Sequence, residues 1–277
     1  MTAADRGSVL TTGANSGIGL ATVIEVARRG FRSIGSVRSE AKADIVHKAA
    51  AEAGVSVETV LLDVTDPDAC RAVVDEIDDD LYGLVNNAGY GMTGAIEDVT
   101  DDEAHHLFET MVFAPLRLSR LVLPGMRGAG DGCIVNVSSI MGLTTTPLTG
   151  WYQAAKHALE GASDALRLEV ASAGIRVVLV EPGGFKTSIW DDLERDIEQR
   201  GDSRFGGSYR RTQQLMKMSA PIMGEPHQCA KVIGRALSSR HPRARYLVGV
   251  DAMALAATSR LTPTAVKDRV IRLTLGL

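Results

Sequence analysis

The segment SVLTTGANSGIGLATVIEVARRG, residues 8–30, decides the fold. It combines a short strand-like run, a glycine-rich turn and a stretch whose apolar residues recur with helical periodicity. Gly13, Gly17 and Gly19 follow the pattern T-G-x-x-x-G-x-G. Glycines at such positions permit a tight turn and let the backbone approach a pyrophosphate at the N-terminus of a helix. Because a dinucleotide site requires this strand-to-helix context, the segment predicts the first unit of a nucleotide-binding sheet.

Strand-like and helix-like stretches alternate along most of the chain. This alternation predicts an α/β fold with a doubly wound parallel sheet, helices on both faces, and one Rossmann-type domain over residues 1–277. Ligands of such sheets bind at the carboxyl ends of the strands. The predicted strands are SVLTT (8–12), RSIGSV (32–37), VSVETVLLDV (55–64), YGLVNNA (82–88), CIVNVSS (133–139), IRVVLVEP (175–182) and RYLVGV (245–250). The predicted helices include DPDACRAVVDEI (66–77), DDEAHHLFETMVFAPLRLSRLVLPGM (101–126) and GWYQAAKHALEGASDALRLEVAS (150–172).

Three residues form a candidate catalytic group. Tyr152 and Lys156 stand one helical turn apart in GWYQAAKHALEG and therefore share a helix face, and Ser139 ends the run CIVNVSS. A free tyrosine has a pKa of about 10, which an adjacent cation lowers by favouring the phenolate. Tyr152 is thus a candidate general acid and base. The triplet alone is equally compatible with a solvated helix face, and the glycine turn at the other end of the chain favours the catalytic interpretation.

Together with Asn86-Asn87-Ala88-Gly89 and Pro182-Gly183, these motifs resemble those of the short-chain dehydrogenase/reductase family from Ser8 to about Tyr246. The segment TGANSGIGLATV at residues 12–23, the pair Val37-Arg38 after the second predicted strand and the length of chain beyond the core are similar to the hydroxysteroid and retinol dehydrogenase branch of that family. The resemblance implies that Ser139, Tyr152 and Lys156 carry a reversible hydride transfer between a nicotinamide and a carbonyl or secondary alcohol. It also implies a cofactor site formed by Thr12, Gly13, Asn15, Ser16, Gly17, Ile18 and Gly19, by Asp63 and Val64 near the adenine, by Asn87, Ala88 and Gly89, by Tyr152 and Lys156, and by Pro182, Gly183 and Thr187 beside the nicotinamide carboxamide.

The end of the second predicted strand bears on the choice of cofactor. A preference for NAD normally needs an acidic residue there, whereas a 2′-phosphate needs a cation. Val37 occupies the usual place of the acid and Arg38 follows it, a residue suited to a planar phosphate. Glu40 nearby complicates the choice, and a solvated Arg38 is the alternative. The sequence favours NADP(H), with NAD(H) also possible.

One position departs from the family pattern. The family usually carries an Asn in a context like F-x-x-N, and the segment FETMVFAP places Met111 there. By resemblance, the Asn carboxamide anchors a water that links the Lys to solvent, a role that a thioether cannot take. Either Met111 packs in the core while the proton relay uses another group, or turnover is slow. A catalytically weak or inactive cofactor-binding homologue is therefore the alternative function.

A second alternative is a nucleotide-sugar epimerase or dehydratase. These extended relatives share the fold and the Tyr-Lys pair but usually carry G-x-x-G-x-x-G in the first turn. Because this chain has three residues and then one between its glycines, the pattern favours the dehydrogenase interpretation.

The region after Pro182 predicts the substrate side of the molecule. By resemblance, residues 188–222 form a substrate lid, with an ordinary surface excursion as the alternative. The alanine- and leucine-rich residues 251–277 form a helical extension that could cover the substrate mouth, pack on another subunit or lie on a membrane surface; packing is favoured because Pro263 breaks the stretch. An apolar pocket for a steroid-, retinoid- or lipid-like substrate is expected from Phe185, Ile189, Trp190, Leu193, Met223, Met141, Leu143 and Leu148.

Composition narrows the classes of partner. The 277 residues carry a net charge of -4, which gives no basic footprint for nucleic acid. No apolar run is long enough for an integral membrane span. Cys70, Cys133 and Cys229 show no disulfide or zinc spacing, and the adjacent His105 and His106 make a poor metal site. We expect a cytoplasmic protein that binds small molecules, no metal, and other copies of itself as a homodimer or homotetramer.

Overall fold

Seven parallel strands form one sheet in the computed structural model, which describes residues 6–77 and 81–277. The strands are β1 (Ser8–Thr11), β2 (Arg32–Val37), β3 (Glu58–Leu61), β4 (Leu81–Asn86), β5 (Gly132–Val137), β6 (Ile175–Pro182) and β7 (Arg245–Val248). Their order in the sheet is β3-β2-β1-β4-β5-β6-β7. The order reverses direction between β1 and β4, where open α/β sheets bind their ligands. The predicted doubly wound sheet is confirmed.

Helices cover both faces of this sheet. Successive side chains of a strand point to opposite faces, so Val9 packs in a cluster with Val26 and Ile233 while Leu10 packs with Cys70 and Leu118. The helices are α1 (Gly17–Arg28), α2 (Glu40–Glu52), α3 (Pro67–Ile77), α4 (Asp101–Phe108), α5 (Ala114–Ala129), α6 (Gly150–Glu169), α7 (Ile189–Gln199), α8 (Gly206–Ser219), α9 (Pro226–Ser238), α10 (Val250–Leu261) and α11 (Thr264–Leu275). Helices α1 and α9 thus lie on one face, and α3 and α5 on the other.

Two predicted elements differ from those observed. The strand expected over residues 55–64 is only β3, because α2 is followed by a turn and Leu62 already lies beyond the ladder. The helix expected over residues 101–126 is interrupted by a π-helical turn at Glu109–Phe113. Pro115, at the start of α5, has no backbone N–H to donate to the carbonyl group four residues earlier, which removes one α-helical hydrogen bond next to this turn; α5 itself accommodates Pro124 without a break.

The segment at residues 188–222 contains α7 and α8 and is bonded to the body of the protein. The Asp196 carboxylate accepts a hydrogen bond from the Thr93 backbone N–H at 2.8 Å. The Tyr209 hydroxyl donates to Asp98 at 2.6 Å and accepts from the Ala95 backbone at 2.7 Å. Whether this segment closes over a substrate stays a prediction.

The chain ends in α10 and α11, which are separated at Pro263 as predicted. Ala252 and Ala256 of α10 are buried against Ile140, while Val266, Val270 and Leu273 of α11 are exposed. None of the helices in the described ranges is both long and apolar enough to cross a bilayer.

Candidate active site

The glycine turn is held against the segment that follows β4. The Thr12 hydroxyl accepts hydrogen bonds from the backbone N–H groups of Asn87 at 3.0 Å and Ala88 at 2.9 Å. In return, the Asn87 side-chain amide donates to the carbonyl groups of Thr12 at 2.9 Å and Gly13 at 3.2 Å. The carboxyl ends of β1 and β4 therefore form one rigid rim at the point where the strand order reverses.

The glycines of this turn meet a steric requirement. Gly13 and Gly17 adopt φ values of +67° and +51°, which side-chain-bearing residues rarely adopt. A Cβ atom at Gly19 would collide with the Gly13 carbonyl oxygen. The Ser16 side chain does not cap α1, so the first N–H groups of this helix lack that partner. An uncapped helix N-terminus behind a close-fitting glycine turn suits a pyrophosphate, and the residues therefore fit a dinucleotide.

The ends of β2 and β3 supply the charged groups of the rim. Arg38 follows β2 and is exposed. The Thr65 backbone N–H donates to Asp63 at 3.0 Å and its hydroxyl at 2.7 Å, and these bonds lower the pKa of the Asp63 carboxyl, which the charge of Arg38 lowers further. Val64 is buried. Arg38 and Asp63 thus flank the place expected for the adenosine half of a cofactor.

The three candidate catalytic residues meet beside the end of β5. Ser139 begins a 3₁₀ turn, and its hydroxyl accepts from the Met141 backbone N–H at 3.1 Å. Tyr152 and Lys156 share a face of α6, with the Lys156 Nζ atom 5.8 Å from the centroid of the Tyr152 ring. The Lys156 ammonium donates to the Val137 carbonyl oxygen at 3.0 Å. A hydroxyl, a phenol and a cation therefore face one small volume.

The pKa pattern of this group differs from the expectation. Burial raises the pKa of Tyr152, and the opposing influence is a hydrogen bond with Ser139, not the charge of Lys156. The Lys156 ammonium donates instead to the Val137 carbonyl group. Burial also lowers the pKa of Lys156 to about 8, and the charge of Glu160 acts in the opposite direction.

Met111 lies in the π-helical turn and is only 1% exposed. It packs in a cluster with Met92, Leu107 and Ala155, and a Cβ atom at Gly89 would lie 3.1 Å from its Cε atom. Its side chain therefore serves core packing next to the Asn87-Ala88-Gly89 segment, in line with the first of the two interpretations.

The loop after β6 closes the rim on its other side. The Gly183 backbone N–H donates to Val248 at 2.9 Å, and that of Gly184 donates to the Asp251 carboxylate at 2.6 Å. A Cβ atom at Gly17 would lie 2.9 Å from the Thr187 Cγ2 atom. The loop from Pro182 to Thr187 thus reaches back to the glycine turn.

Two of the residues expected to line a substrate pocket are buried elsewhere. Phe185 is 3% exposed and packs with the core beneath β6 and β7, and Leu148 is 4% exposed and packs against Tyr209. Phe185 follows β6 and is covered by residues of the sheet and α9, and Leu148 precedes α6 and is covered by α8. These contacts join segments that are distant in sequence, so the sequence does not reveal them. The remaining six are at least partly accessible: Met141, Leu143, Ile189, Trp190, Leu193 and Met223.

Asn86 is directed away from the cofactor rim, unlike Asn87. Its side-chain amide donates to the Asn136 side-chain oxygen Oδ1 at 2.8 Å, and the Asn136 side-chain amide donates to the Ser163 hydroxyl at 2.8 Å. Because neighbouring strand residues face opposite sides, Asn86 joins β4 and β5 to α6, and only Asn87 contacts the glycine turn.

Sequence reasoning missed a buried charged cluster below Lys156. Glu160 is 5% exposed, Glu181 is 1% exposed, and Arg245 lies 3.1 Å from each of them. The spacing of Lys156 and Glu160, four residues apart on one helix, was the available signal. His105, His106 and His157 lie at exposed positions, and the described residues include no group of three or more His, Cys, Asp or Glu side chains that could hold a metal ion.

Comparison with known proteins supports the geometric description. The family model described as short chain dehydrogenase matches residues 8–198. The chain is 34% identical over 269 residues to the uncharacterized oxidoreductase YbbO of Escherichia coli (strain K12), covering 96% of this chain and 94% of that protein. It is 30% identical over 288 residues to retinol dehydrogenase 5 of Homo sapiens, covering 97% and 88%. A crystal structure of a variant actinorhodin polyketide ketoreductase with NADPH aligns with a TM-score of 0.79 and 28% identity, covering 92% of this chain and 99% of that one.

Proposed function

The chain belongs to the short-chain dehydrogenase family and is an oxidoreductase, and we propose that it transfers a hydride reversibly between NADP(H) and the carbonyl or secondary-alcohol carbon of an apolar substrate. The observation that carries the proposal is the meeting of Ser139, Tyr152 and Lys156 beside β5. Family membership and the intact triplet favour an active oxidoreductase over a cofactor-binding homologue without turnover and over an epimerase.

The side chains of the triplet divide the proton chemistry. Bound NADP(H) supplies or accepts the hydride. In reduction, Tyr152 donates its phenolic proton to the substrate oxygen, and the Ser139 hydroxyl hydrogen-bonds the same oxygen. Lys156 would bind the ribose hydroxyls of the cofactor, and an ammonium at that place would stabilise the phenolate that Tyr152 becomes. In oxidation, the Tyr152 phenolate takes the proton from the alcohol.

The preference for NADP(H) rests on the end of β2. Val37 stands where NAD-binding proteins place a carboxylate, and Arg38 next to it is exposed at the rim. Its charge acts on Asp63 across that rim, so a 2′-phosphate there would meet a cation. The similar ketoreductase was crystallised with NADPH, which supports the same choice.

The proposed substrate class rests on the accessible apolar side chains beside the triplet. Leu193 lies against Gly91, and Met141 and Leu143 pack beside α10. A lipid-like alcohol or ketone would bury its apolar body among such groups, and residues 188–222 would form the lid above it. The similarity to a retinol dehydrogenase agrees with this class.

A screen of NADPH oxidation over ketosteroids, retinal, quinones and small ketones tests the proposal. We expect turnover of apolar carbonyl compounds and little turnover of small ketones, with Tyr152→Phe as the inactive control. Equal rates for Tyr152→Phe, or a preference for small ketones, would contradict the assignment of the proton donor or the substrate class, respectively.

We also propose that the protein is a cytoplasmic homodimer or homotetramer. Phe113 on the π-helical turn is 52% exposed and lines a groove between α5 and α6 together with Leu116 and Leu166, and Leu168 on α6 is 69% exposed. Paired copies would bury these apolar groups. The three cysteines are free and buried, as suits a reducing compartment. Sedimentation of the wild type beside Phe113→Arg tests the assembly, and a wild-type monomer would refute it.

A further inference from the structure

The last helix of the chain presents an apolar stripe to solvent. Val266, Val270 and Leu273 follow one another on α11 at the spacing i, i+4 and i+7, so they share one helix face. They are 52%, 57% and 73% exposed. Leu275, on the opposite face, is buried, and α11 packs against α8. The helix is therefore held on one side, while its apolar stripe has no partner among the residues that the structure describes.

A second apolar face adjoins this stripe. Arg211, Leu215 and Met218 repeat the same i, i+4 and i+7 spacing on α8, and Leu215 and Met218 are both exposed. A Cβ atom at Gly276 would collide with the Arg211 guanidinium, so the C-terminal end of α11 meets this face of α8. Ile222, just beyond α8, is also exposed. The exposed faces of the two helices together form the α8–α11 surface.

Cations surround the apolar part of this surface. At 100° per residue, Lys267 and Arg269 flank the stripe of α11 on its two sides. The side chains of Lys217, Arg269 and Arg272 are exposed and form no ion pair within the described part of the chain. Residues 206–222 and 250–277 contain seven Lys or Arg and two acidic residues, whereas the whole chain has a net charge of -4. The α8–α11 surface is therefore a cationic region of an acidic protein.

We propose that the α8–α11 surface is a docking site for an anionic lipid bilayer, with α11 lying in the plane of the headgroups. A helix whose apolar face is flanked by Lys and Arg buries that face at the boundary between headgroups and acyl chains. Anionic headgroups at the same boundary attract the flanking cations. One lipid surface thus satisfies both the apolar stripe and its unpaired charges. The attachment is peripheral, because the opposite sides of α8 and α11 pack on the protein.

A second copy of the chain is less well suited to this surface. Symmetric pairing places the same patch of both subunits face to face, so Arg269 and Arg272 would approach their own counterparts. Like charges brought together oppose association, and Asp268 alone offsets the three cations of α11. Charge complementarity therefore favours an anionic lipid surface as the occupant.

Docking at this surface would place the substrate side of the molecule against the membrane. Helix α8 lies within residues 188–222, the proposed lid. An apolar alcohol or ketone partitions from water into a bilayer, and the enzyme would take it up there. This consequence rests on the proposed function, whereas the docking itself does not.

Co-sedimentation of the full-length protein with vesicles tests the proposal. Vesicles of phosphatidylcholine alone are compared with vesicles of equal parts phosphatidylcholine and phosphatidylglycerol. We expect binding to the anionic vesicles that weakens as salt is added, and little binding to phosphatidylcholine alone. The double variant Arg269→Gln/Arg272→Gln should weaken binding by about fivefold per cation, roughly 25-fold in all. Leu273→Asp should weaken it by at least about tenfold, because it places a charge in the apolar stripe.

Two control variants remove the same kinds of side chain elsewhere. Arg71→Gln on α3 and Ile45→Gln on α2 change exposed residues of other helices, and both should bind vesicles as the wild type does. Circular dichroism checks that each variant is folded. If Leu273→Asp is unfolded, the double arginine variant decides alone.

Three results would overturn the proposal. The first is no binding to the anionic vesicles at low salt, or equal binding to both kinds of vesicle. The second is binding that the α11 variants retain unchanged. The third is a wild-type oligomer, seen by sedimentation velocity without vesicles, that Leu273→Asp dissociates, since another subunit would then cover the stripe. The assay needs no substrate or cofactor, so a failed substrate screen leaves its result intact.

Discussion

Replacement of Met111 by asparagine tests what this position contributes. The side chain is 1% exposed, and the buried side chains around it, among them Met92, Leu107 and Ala155, are aliphatic or thioether groups. Tyr90, Trp151 and Tyr152 also pack against this cluster but are only partly buried, and the fully buried neighbours offer an asparagine amide no hydrogen-bond partner. We therefore expect Met111→Asn to destabilise the protein without raising turnover, because this side chain serves core packing.

The magnitude follows from two costs. Loss of a fully buried methionine side chain removes about 1.5–3 kcal/mol of burial free energy. An unpaired buried amide costs about 1–3 kcal/mol in protein mutational data. Together they lower the free energy of unfolding by about 2.5–6 kcal/mol, which at about 2 °C per kcal/mol for a long chain lowers the melting temperature by roughly 5–12 °C.

The assay is thermal melting followed by circular dichroism, with NADPH binding and steady-state rates measured on the same samples. Met111→Leu is the control, since a volume-conserving swap costs less than about 1.5 kcal/mol. A melting temperature equal to that of the wild type, accompanied by faster turnover or an altered pH profile in Met111→Asn, would refute the packing argument. That result would mean that an amide at this position restores a proton path.

Three further predictions concern the proposed reaction and cofactor. Tyr152→Phe should reduce turnover by about 10²–10⁴-fold, with NADPH affinity nearly unchanged in a fluorescence titration. Residual activity above a few per cent of the wild-type rate, which is roughly the lower limit of that range, would disprove the role of Tyr152 as proton donor. Arg38→Asp should reverse the order of NADPH and NADH affinities, because it repels the 2′-phosphate and offers a carboxylate to the ribose, and equal wild-type affinities would contradict the role of Arg38. Gly19→Ala should abolish binding of either cofactor, since its Cβ would meet the Gly13 carbonyl group; normal binding by calorimetry would show that the turn does not hold the pyrophosphate.

Local patterns predicted the parts of the site that depend on neighbouring residues. The glycine turn and the Tyr152–Lys156 pair each lie within one strand-turn-helix or one helix, so spacing alone indicates their shared face. The interruption of the helix at Glu109–Phe113 also had a local signal in Pro115.

Contacts between distant segments were not predictable in the same way. Leu148 lies between Ser139 and Tyr152 in sequence and Phe185 follows the Pro182-Gly183 motif, yet contacts with α8 and β7, respectively, bury them. Asn86 and Asn87 are adjacent, and only the pleat of β4 decides which one faces the glycine turn. Arg245 joins Glu160 across 85 residues, a contact that depends on the completed sheet.

This last contact has a consequence for the order of folding. During synthesis, β5, α6 and β6 leave the ribosome before β7. Until Arg245 arrives, Glu160 and Glu181 have no guanidinium beside them, and burying unneutralised carboxyl groups is costly. The inner end of α6 should therefore stay loosely packed until the edge strand docks. The first strands of the nascent chain can pair early. The surroundings of Lys156, in contrast, are completed only near the end of translation.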